Sequence, residues 1–154
     1  MIRVLGIGSP FGDDAAGWRV IEHLRGRVPE GVELLALDRP GAALLRWFEG
    51  MDGVVLIDAI RSGGRPGAVR SLSLDALDGL PESPSTHGFG LAHALRLAGA
   101  MGVLPPRLAI HAIELGGLER DGLTPEVEAA ARALAESLAR DLGGDGIKFE
   151  TLQP

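Results

Sequence analysis

The chain has 154 residues, 45% of them hydrophobic, and this length and composition predict one globular domain over residues 1–154. Its formal net charge of −6 argues against a nucleic-acid partner, which needs a basic face, and its lack of cysteine excludes disulfides, a thiolate nucleophile and cysteine-bound zinc. No apolar run approaches the roughly 20 residues that span a bilayer, and Ile2 to Ile7 is too short for the core of a secretory signal, so we expect a soluble, cytoplasmic protein.

The first stretch reads as a strand, a glycine-rich turn and the start of a helix, with the sequence I-R-V-L-G-I-G-S-P-F-G-D-D-A-A-G from residue 2. This order is typical of the opening of an α/β sheet, and ligands bind at such turns. A phosphate-binding turn offers bare N–H groups at the positive end of a helix. Asp13 and Asp14 would instead repel a phosphate and attract a cation, so the turn predicts a metal site. The structural alternative for either residue is a cap of its own helix.

Helices and strands then alternate along the chain. The spacing of apolar residues predicts a helix over Ala15 to Arg25 and a strand over Val32 to Leu37 that ends at Asp38. A second helix is predicted from an apolar face at Leu44, Trp47, Phe48 and Met51. The unbroken apolar run from Val54 to Ile57 is typical of a central parallel strand covered on both faces, and it stops at Asp58.

The second half continues the same alternation. An edge strand is predicted at Val69, Leu72 and Leu74, and a strand at Leu108 to Ile113. Ser85 or Thr86 is predicted to cap a helix that buries Leu91, Leu95, Ala98 and Met101. The last helix has Thr124 as N-cap, Pro125 at its first position and a stop at Gly143–Gly144, and Ile147 to Leu152 is a short terminal strand. We therefore predict a three-layer α/β/α sandwich with a mostly parallel, twisted sheet of about five strands.

Three side chains fall where this fold would gather them. Asp14 follows the first strand, Asp58 ends the central one and His87 opens a helix, and ligands of parallel sheets bind beyond the carboxyl ends of the strands. Two carboxylates and one imidazole suit a divalent ion such as Ni²⁺ or Zn²⁺. The structural alternatives are an Asp58 that only bonds its local backbone and a solvated His87. We expect His23 and His93 on helix surfaces and His111 in a strand.

Three motifs in order resemble the hydrogenase maturation endopeptidases. They are G-I-G-S-P-F-G-D-D-A-A-G at 6–17, V-V-L-I-D-A-I at 54–60 and S-T-H-G-F-G-L at 85–91, and the likeness extends to H-A-I-E-L at 111–115 and L-T-P-E-V at 123–127. The resemblance implies an α/β fold and hydrolysis of one peptide bond near the C-terminus of a nickel-loaded large-subunit precursor of nickel–iron hydrogenase. It also implies metal ligation by Asp14, Asp58 and His87.

The same resemblance implies that nickel would arrive with the substrate, which is the hydrogenase precursor, and that other divalent ions could take its place. The composition shows no heptad pattern, so we expect a monomer. Asp14 and Asp38 are the candidate catalytic residues, and a turn-capping role is the alternative for Asp38. The chain departs from the family at Ser9, where Asn is usual, and at Asp38-Arg39-Pro40-Gly41, where the acid is commonly followed by Gly-Gly-Thr.

Two other functions remain open at this point. Gly6, Gly8 and Gly12, followed by Asp38 at the end of the second strand, form a loose version of the dinucleotide-binding pattern, although the two acids would lie beside the pyrophosphate. The altered loops also leave room for a non-catalytic assembly factor that binds the metallo-precursor, because a fold does not determine a function.

Overall fold

The computed structural model describes residues 1–80, 90–144 and 146–152. Strand β1 (Ile2–Gly8) leads through a 3₁₀ helix (Gly12–Ala15) into helix α1 (Ala16–Leu24). The elements that follow are β2 (Val32–Asp38), a 3₁₀ helix (Gly41–Trp47), β3 (Gly53–Ile60), β4 (Val69–Leu72), α2 (Leu74–Leu77), α3 (Leu91–Met101), β5 (Arg107–Glu114), α4 (Pro125–Leu142) and β6 (Glu150–Thr151).

The strands form one sheet in the order β2-β1-β3-β5-β4, with β6 also paired to β5. Strands β2, β1, β3 and β5 are mutually parallel, whereas β4 and β6 run antiparallel to β5. The mostly parallel sheet and the edge position of β4 confirm the sequence prediction. Because the four parallel strands point the same way, the turns that follow them lie at one edge of the sheet.

Helices cover both faces of the sheet, which confirms the three layers. Helices α1 and α4 pack on one face around Val20, Ile21, Val127 and Leu138. The 3₁₀ helix Gly41–Trp47 and helices α2 and α3 pack on the other face around Leu44, Phe48, Leu77 and Leu95. All eight residues of β3 are buried, as expected for a central strand covered on both sides.

Ionic contacts hold α1 and α4 side by side. Arg19 Nε donates to Glu128 Oε2 at 2.9 Å, and His23 Nε2 lies 3.1 Å from Glu128 Oε1. His23 is therefore not the surface residue that its helical spacing predicted, since its side chain is only 18% exposed. Within the described part of the chain, no helix combines the length and the apolar character that a bilayer span needs.

The second predicted helix is instead a 3₁₀ helix. Its apolar face was predicted correctly, because Leu44 and Phe48 are buried, but its hydrogen bonds include Ala43 N–H to Pro40 O and Phe48 N–H to Leu45 O. The segment is seven residues long. So short a segment gains too few i to i+4 hydrogen bonds to offset the cost of nucleating an α-helix.

Three other boundaries differ from the prediction. Strand β3 continues past Asp58 to Ile60, because β5 runs alongside it and pairs Asp58 with Ala112. Leu74 begins α2 rather than extending β4, and Ser73 caps that short helix. The N-cap of α3 is Gly90, not Ser85 or Thr86, which lie outside the described residues. At the other end of α3, Met101 is 61% exposed rather than buried.

Candidate active site

The candidate acids lie at the carboxyl edge of the sheet, at or near the ends of three neighbouring strands. Asp38 is the last residue of β2 and is paired in register with Gly8 at the end of β1. Asp58 is two residues from the end of β3, whose Ile57 pairs with Gly6 of β1. Adjacent strands lie about 4.8 Å apart, so the fold brings the ends of these strands together, as the sequence predicted.

The turn after β1 folds back tightly and presents Asp14. The Ser9 N–H donates to the Asp14 carbonyl oxygen at 3.3 Å, and the Asp14 N–H donates to the Phe11 carbonyl oxygen at 3.1 Å. A Cβ added at Gly8 would lie 2.4 Å from the Asp14 carbonyl oxygen, so only glycine fits at this position. Asp14 is 1% exposed, and its Oδ2 accepts a 2.5 Å hydrogen bond from the Ser9 hydroxyl. Ser9, the departure from the family's usual Asn, therefore orients a candidate ligand.

Asp13 does not cap its own helix; it joins the turn after β1 to the loop before α4. The N–H groups of Gly116 and Gly117 donate to Asp13 Oδ2 at 2.7 and 2.8 Å, and the Thr124 N–H donates to Oδ1 at 2.7 Å. The Thr124 hydroxyl donates to the same carboxylate, 2.9 Å from Oδ2. Asp13 is fully buried and stands at the start of α4, where the helix dipole favours a negative charge.

Asp58 combines a local contact with a place on a cavity. Its Oδ1 accepts the Ala59 N–H at 2.9 Å, which is the local bond that the structural alternative predicted. Asp58 is also 3% exposed and lines a cavity of about 250 Å³ between the sheet and helices α2 and α3. The side chain of Asp58 is therefore turned toward the α3 side of the sheet, beside this cavity.

Asp38 is exposed at the rim of the same edge. Its side chain is 51% exposed and accepts a 2.6 Å hydrogen bond from Arg39 Nε, which raises the pKa of the Arg39 guanidinium. The backbone of Arg39 has a positive φ of 42°, and its N–H donates to the Gly8 carbonyl oxygen at 3.0 Å. Arg39 also lies over the ring of Phe11. The loop after β2 is thereby fixed against the turn that carries Asp14.

His87 lies outside the described residues, so its place in the triad stays a prediction. Among residues 1–80, 90–144 and 146–152, no three acidic or histidine side chains are grouped closely enough to hold a metal ion. What these ranges supply is a pair of buried carboxylates, Asp14 and Asp58, near the ends of adjacent strands. Carboxylate oxygens are ligands for divalent cations, so this part of the donor set fits such an ion.

Two histidines that were not predicted to belong to the site, His93 and His111, line the cavity beside Asp58. His93 lies in the first turn of α3, and its Nδ1 lies 3.4 Å from the Gly90 N–H, which donates to it. Side chains at a helix start lean toward its N-terminus, which turns His93 to the cavity and not to the surface predicted for it. Had the sequence shown that α3 begins after Gly90, it would have placed His93 in the first turn and so beside the cavity. His111 lies within β5, as predicted, 3.4 Å from Ser71 Oγ, and burial lowers its pKa below the ordinary 6.5.

Glu114 organises the loop after β3, a role that no sequence pattern indicated. Its carboxylate accepts the N–H groups of Ser62 at 2.8 Å and Gly64 at 2.6 Å, together with the Ser62 hydroxyl. Burial would raise the pKa of Glu114, but these hydrogen bonds outweigh it, and the pKa lies below the ordinary 4.5. Only its position at the end of the predicted β5 marked Glu114 in the sequence, because the segment it bonds lies about 50 residues away.

Comparison with known proteins gives a consistent result. A family model described as hydrogenase maturation protease matches residues 18–141. The hydrogenase expression/formation protein HupD of Bradyrhizobium diazoefficiens is 29% identical over 88% of this chain and 78% of its own length. The hydrogenase maturating endopeptidase HybD from E. coli has a similar structure, with a TM-score of 0.79 and 32% identity over 97% of this chain and 96% of that one.

A second solved structure extends the likeness to an archaeal protein. The NiFe hydrogenase maturation protease HycI from Thermococcus kodakarensis superposes with a TM-score of 0.67 and 27% identity, over 93% of this chain and 92% of that one. Both structural likenesses extend over a larger share of this chain than the family model, which matches residues 18–141.

Proposed function

This chain belongs to the hydrogenase maturation protease family and is a peptidase, and we propose that it removes the C-terminal peptide of a hydrogenase large-subunit precursor that already carries nickel. The family supports the class of reaction and the class of partner. It also decides against the dinucleotide-binding alternative, because the enzymes that this chain resembles are peptidases.

The observation that carries the proposal is the burial of Asp14 and Asp58 near the ends of adjacent strands. Carboxylate oxygens are ligands that divalent cations prefer, and such an ion next to both side chains would stabilise their charged forms. The turn around Asp14 is held rigidly by Ser9 and Asp13, so its carboxylate is positioned before a substrate arrives. Such preorganisation suits a site that completes the coordination of an ion bound elsewhere.

In this proposal nickel is part of the substrate. Asp14, Asp58 and His87 would contact the ion that the precursor carries, which would select loaded precursors and hold the scissile bond nearby. A bound divalent ion can polarise a peptide carbonyl or lower the pKa of a water molecule. Asp38 is the candidate base, because it is exposed at the rim of the same edge and could reach a substrate.

The experiment is a cleavage assay with a hydrogenase large-subunit precursor prepared with and without nickel. We expect the purified protein to shorten only the loaded precursor, as measured by intact-mass spectrometry. Asp14→Asn and Asp58→Asn should lower the cleavage rate at least about 100-fold. Loss of a residue that merely orients a metal ligand already lowers activity about 10- to 100-fold, and loss of a ligand should lower it at least as much. The matched control is Asp52→Asn, an exposed acid just before β3 at the opposite edge of the sheet, which should cleave normally.

Two results would contradict the proposal. Equal cleavage of nickel-free and loaded precursors would mean that nickel is not the recognition signal. Binding of the loaded precursor without any cleavage would mean that this chain does not carry out the proposed reaction.

A further inference from the structure

The cavity beside Asp58 has apolar walls that the proposed reaction does not explain. Its volume is about 250 Å³, and it is lined from the sheet by Ile60, Leu72 and Ile110 and from the helix side by Leu77. All four side chains are buried among the core residues of that face. A cavity of about 150 Å³ with aliphatic walls is enough to hold a benzene molecule, so this one has room for a large side chain.

The cavity also has polar groups on its walls. Asp58 lies two residues before Ile60 on β3, and side chains two apart on a strand point to the same face. The acid and the apolar wall therefore belong to one continuous surface. Asp78 and Arg96 also line the cavity, where they pair at 3.0 Å and are more than half exposed. His93 and His111 line it as well, so the cavity combines an apolar interior with a polar wall that includes one candidate site residue, Asp58.

We propose that this cavity is a specificity subsite, which takes an apolar, uncharged side chain next to the scissile bond of the substrate. The inference rests on the proposed function, since Asp58 places the cavity within reach of the reacting bond only if Asp58 acts in cleavage. Aliphatic walls favour an aliphatic side chain through the burial of apolar surface. They disfavour an acidic one, because its charge would lose its hydration beside the aliphatic walls and the Asp58 carboxylate.

The test uses the nickel-loaded precursor and first locates the scissile bond by mass spectrometry. The residues on its two sides are then changed one at a time to Ala, Leu or Asp, and kcat/KM is measured for each substrate. At one of the two positions we expect Leu to exceed Ala by at least about ten-fold, because one methylene in an apolar pocket already changes kcat/KM by about that factor. The Asp substrate should be the poorest of the three at that position.

The decisive comparison changes the cavity and not the substrate. Ala92 lies on the cavity in the first turn of α3 and is half-buried, so Ala92→Phe should reduce the free volume and invert the preference, with Ala cleaved better than Leu. Ala100→Phe adds the same side chain to an exposed position of α3 and should leave the ratio unchanged. A ratio of rates is insensitive to a fraction of unfolded enzyme, which guards against a folding artefact.

The failures are distinguishable. If the unaltered protein cleaves no loaded precursor, the proposed function fails and the subsite with it. If cleavage is normal but Ala92→Phe lowers the rates of all substrates equally, or if Asp is preferred to Leu at both positions, only the subsite is wrong.

Discussion

Among the predicted substitutions, removal of the Asp13 carboxylate has the largest expected effect on the free energy of unfolding. Asp13→Ala leaves the N–H groups of Gly116, Gly117 and Thr124 without their acceptor, in a place where Asp13 itself is fully buried. Hydrogen bonds to a charged group contribute about 1.5–3 kcal/mol each, but water entering the vacated space recovers part of that, so we expect a loss of about 4 kcal/mol. Domains have only about 5–15 kcal/mol of stability, so this variant should be marginal.

Urea unfolding followed by circular dichroism measures this loss. With a slope of about 2 kcal/mol per molar urea, a 4 kcal/mol loss moves the midpoint down by about 2 M. Asp13→Asn keeps one acceptor oxygen and should lose about half as much. The control is Asp38→Ala, which removes an acid whose side chain is 51% exposed and should lose less than about 1 kcal/mol. A midpoint for Asp13→Ala within about 0.5 M of the unaltered protein would refute the reasoning, because water would then satisfy the three donors as well as the carboxylate does.

Three further predictions concern neighbouring groups. Because the pKa of Glu114 is lower in the folded state, its contribution to stability is complete above about pH 4.5 and is lost as the pH falls through the folded pKa. The variant Glu114→Gln should therefore unfold more easily at pH 7 and lose less stability on acidification. Parallel curves of unfolding free energy against pH for the two proteins would contradict this. Ser9→Ala removes the hydrogen bond to Asp14 and should lower kcat about 10- to 100-fold with little change in KM, whereas an effect on KM alone would contradict an orienting role. Gly8→Ala should destabilise the fold by about 3 kcal/mol in urea unfolding, because the new methyl group would lie 2.4 Å from the Asp14 carbonyl oxygen. The control Gly99→Ala lies within α3 with nothing closer than 3.5 Å, so it should be neutral or stabilise by up to about 1 kcal/mol, because Ala favours a helix over Gly. Equal effects of the two changes would contradict the steric explanation.

Local signals were sufficient for much of the fold. Helix α4 begins at Pro125 after its Thr124 N-cap and ends at Leu142 before Gly143, and its apolar positions are buried as their spacing predicted. The unbroken run in β3 is central and covered on both faces. These elements were predictable because the physical cause of each lies within the element itself: a cap, a period of 3.6 or a lack of alternation.

The rest depends on contacts between distant segments. Asp13 accepts from groups 103 to 111 residues away, and no local pattern distinguishes such an acid from a helix cap. Asp58 looked like the end of a strand because a charged residue follows an apolar run, but β5 extends the pairing beyond it. The orientation of His93 depended on where α3 begins, and the sequence before Gly90, which contains several serines and prolines, gave no clear start signal.

The bridge made by Asp13 also joins segments that are synthesised far apart in time. The acids of the site belong to the first 58 residues, but the donors that hold the turn beside Asp14 come from residues 116 to 124. A nascent chain that has emerged only as far as β3 therefore carries the acids without the contacts that fix them. The turn beside Asp14 is fixed only after the loop before α4 has been made and docked, so the candidate site is completed late in synthesis.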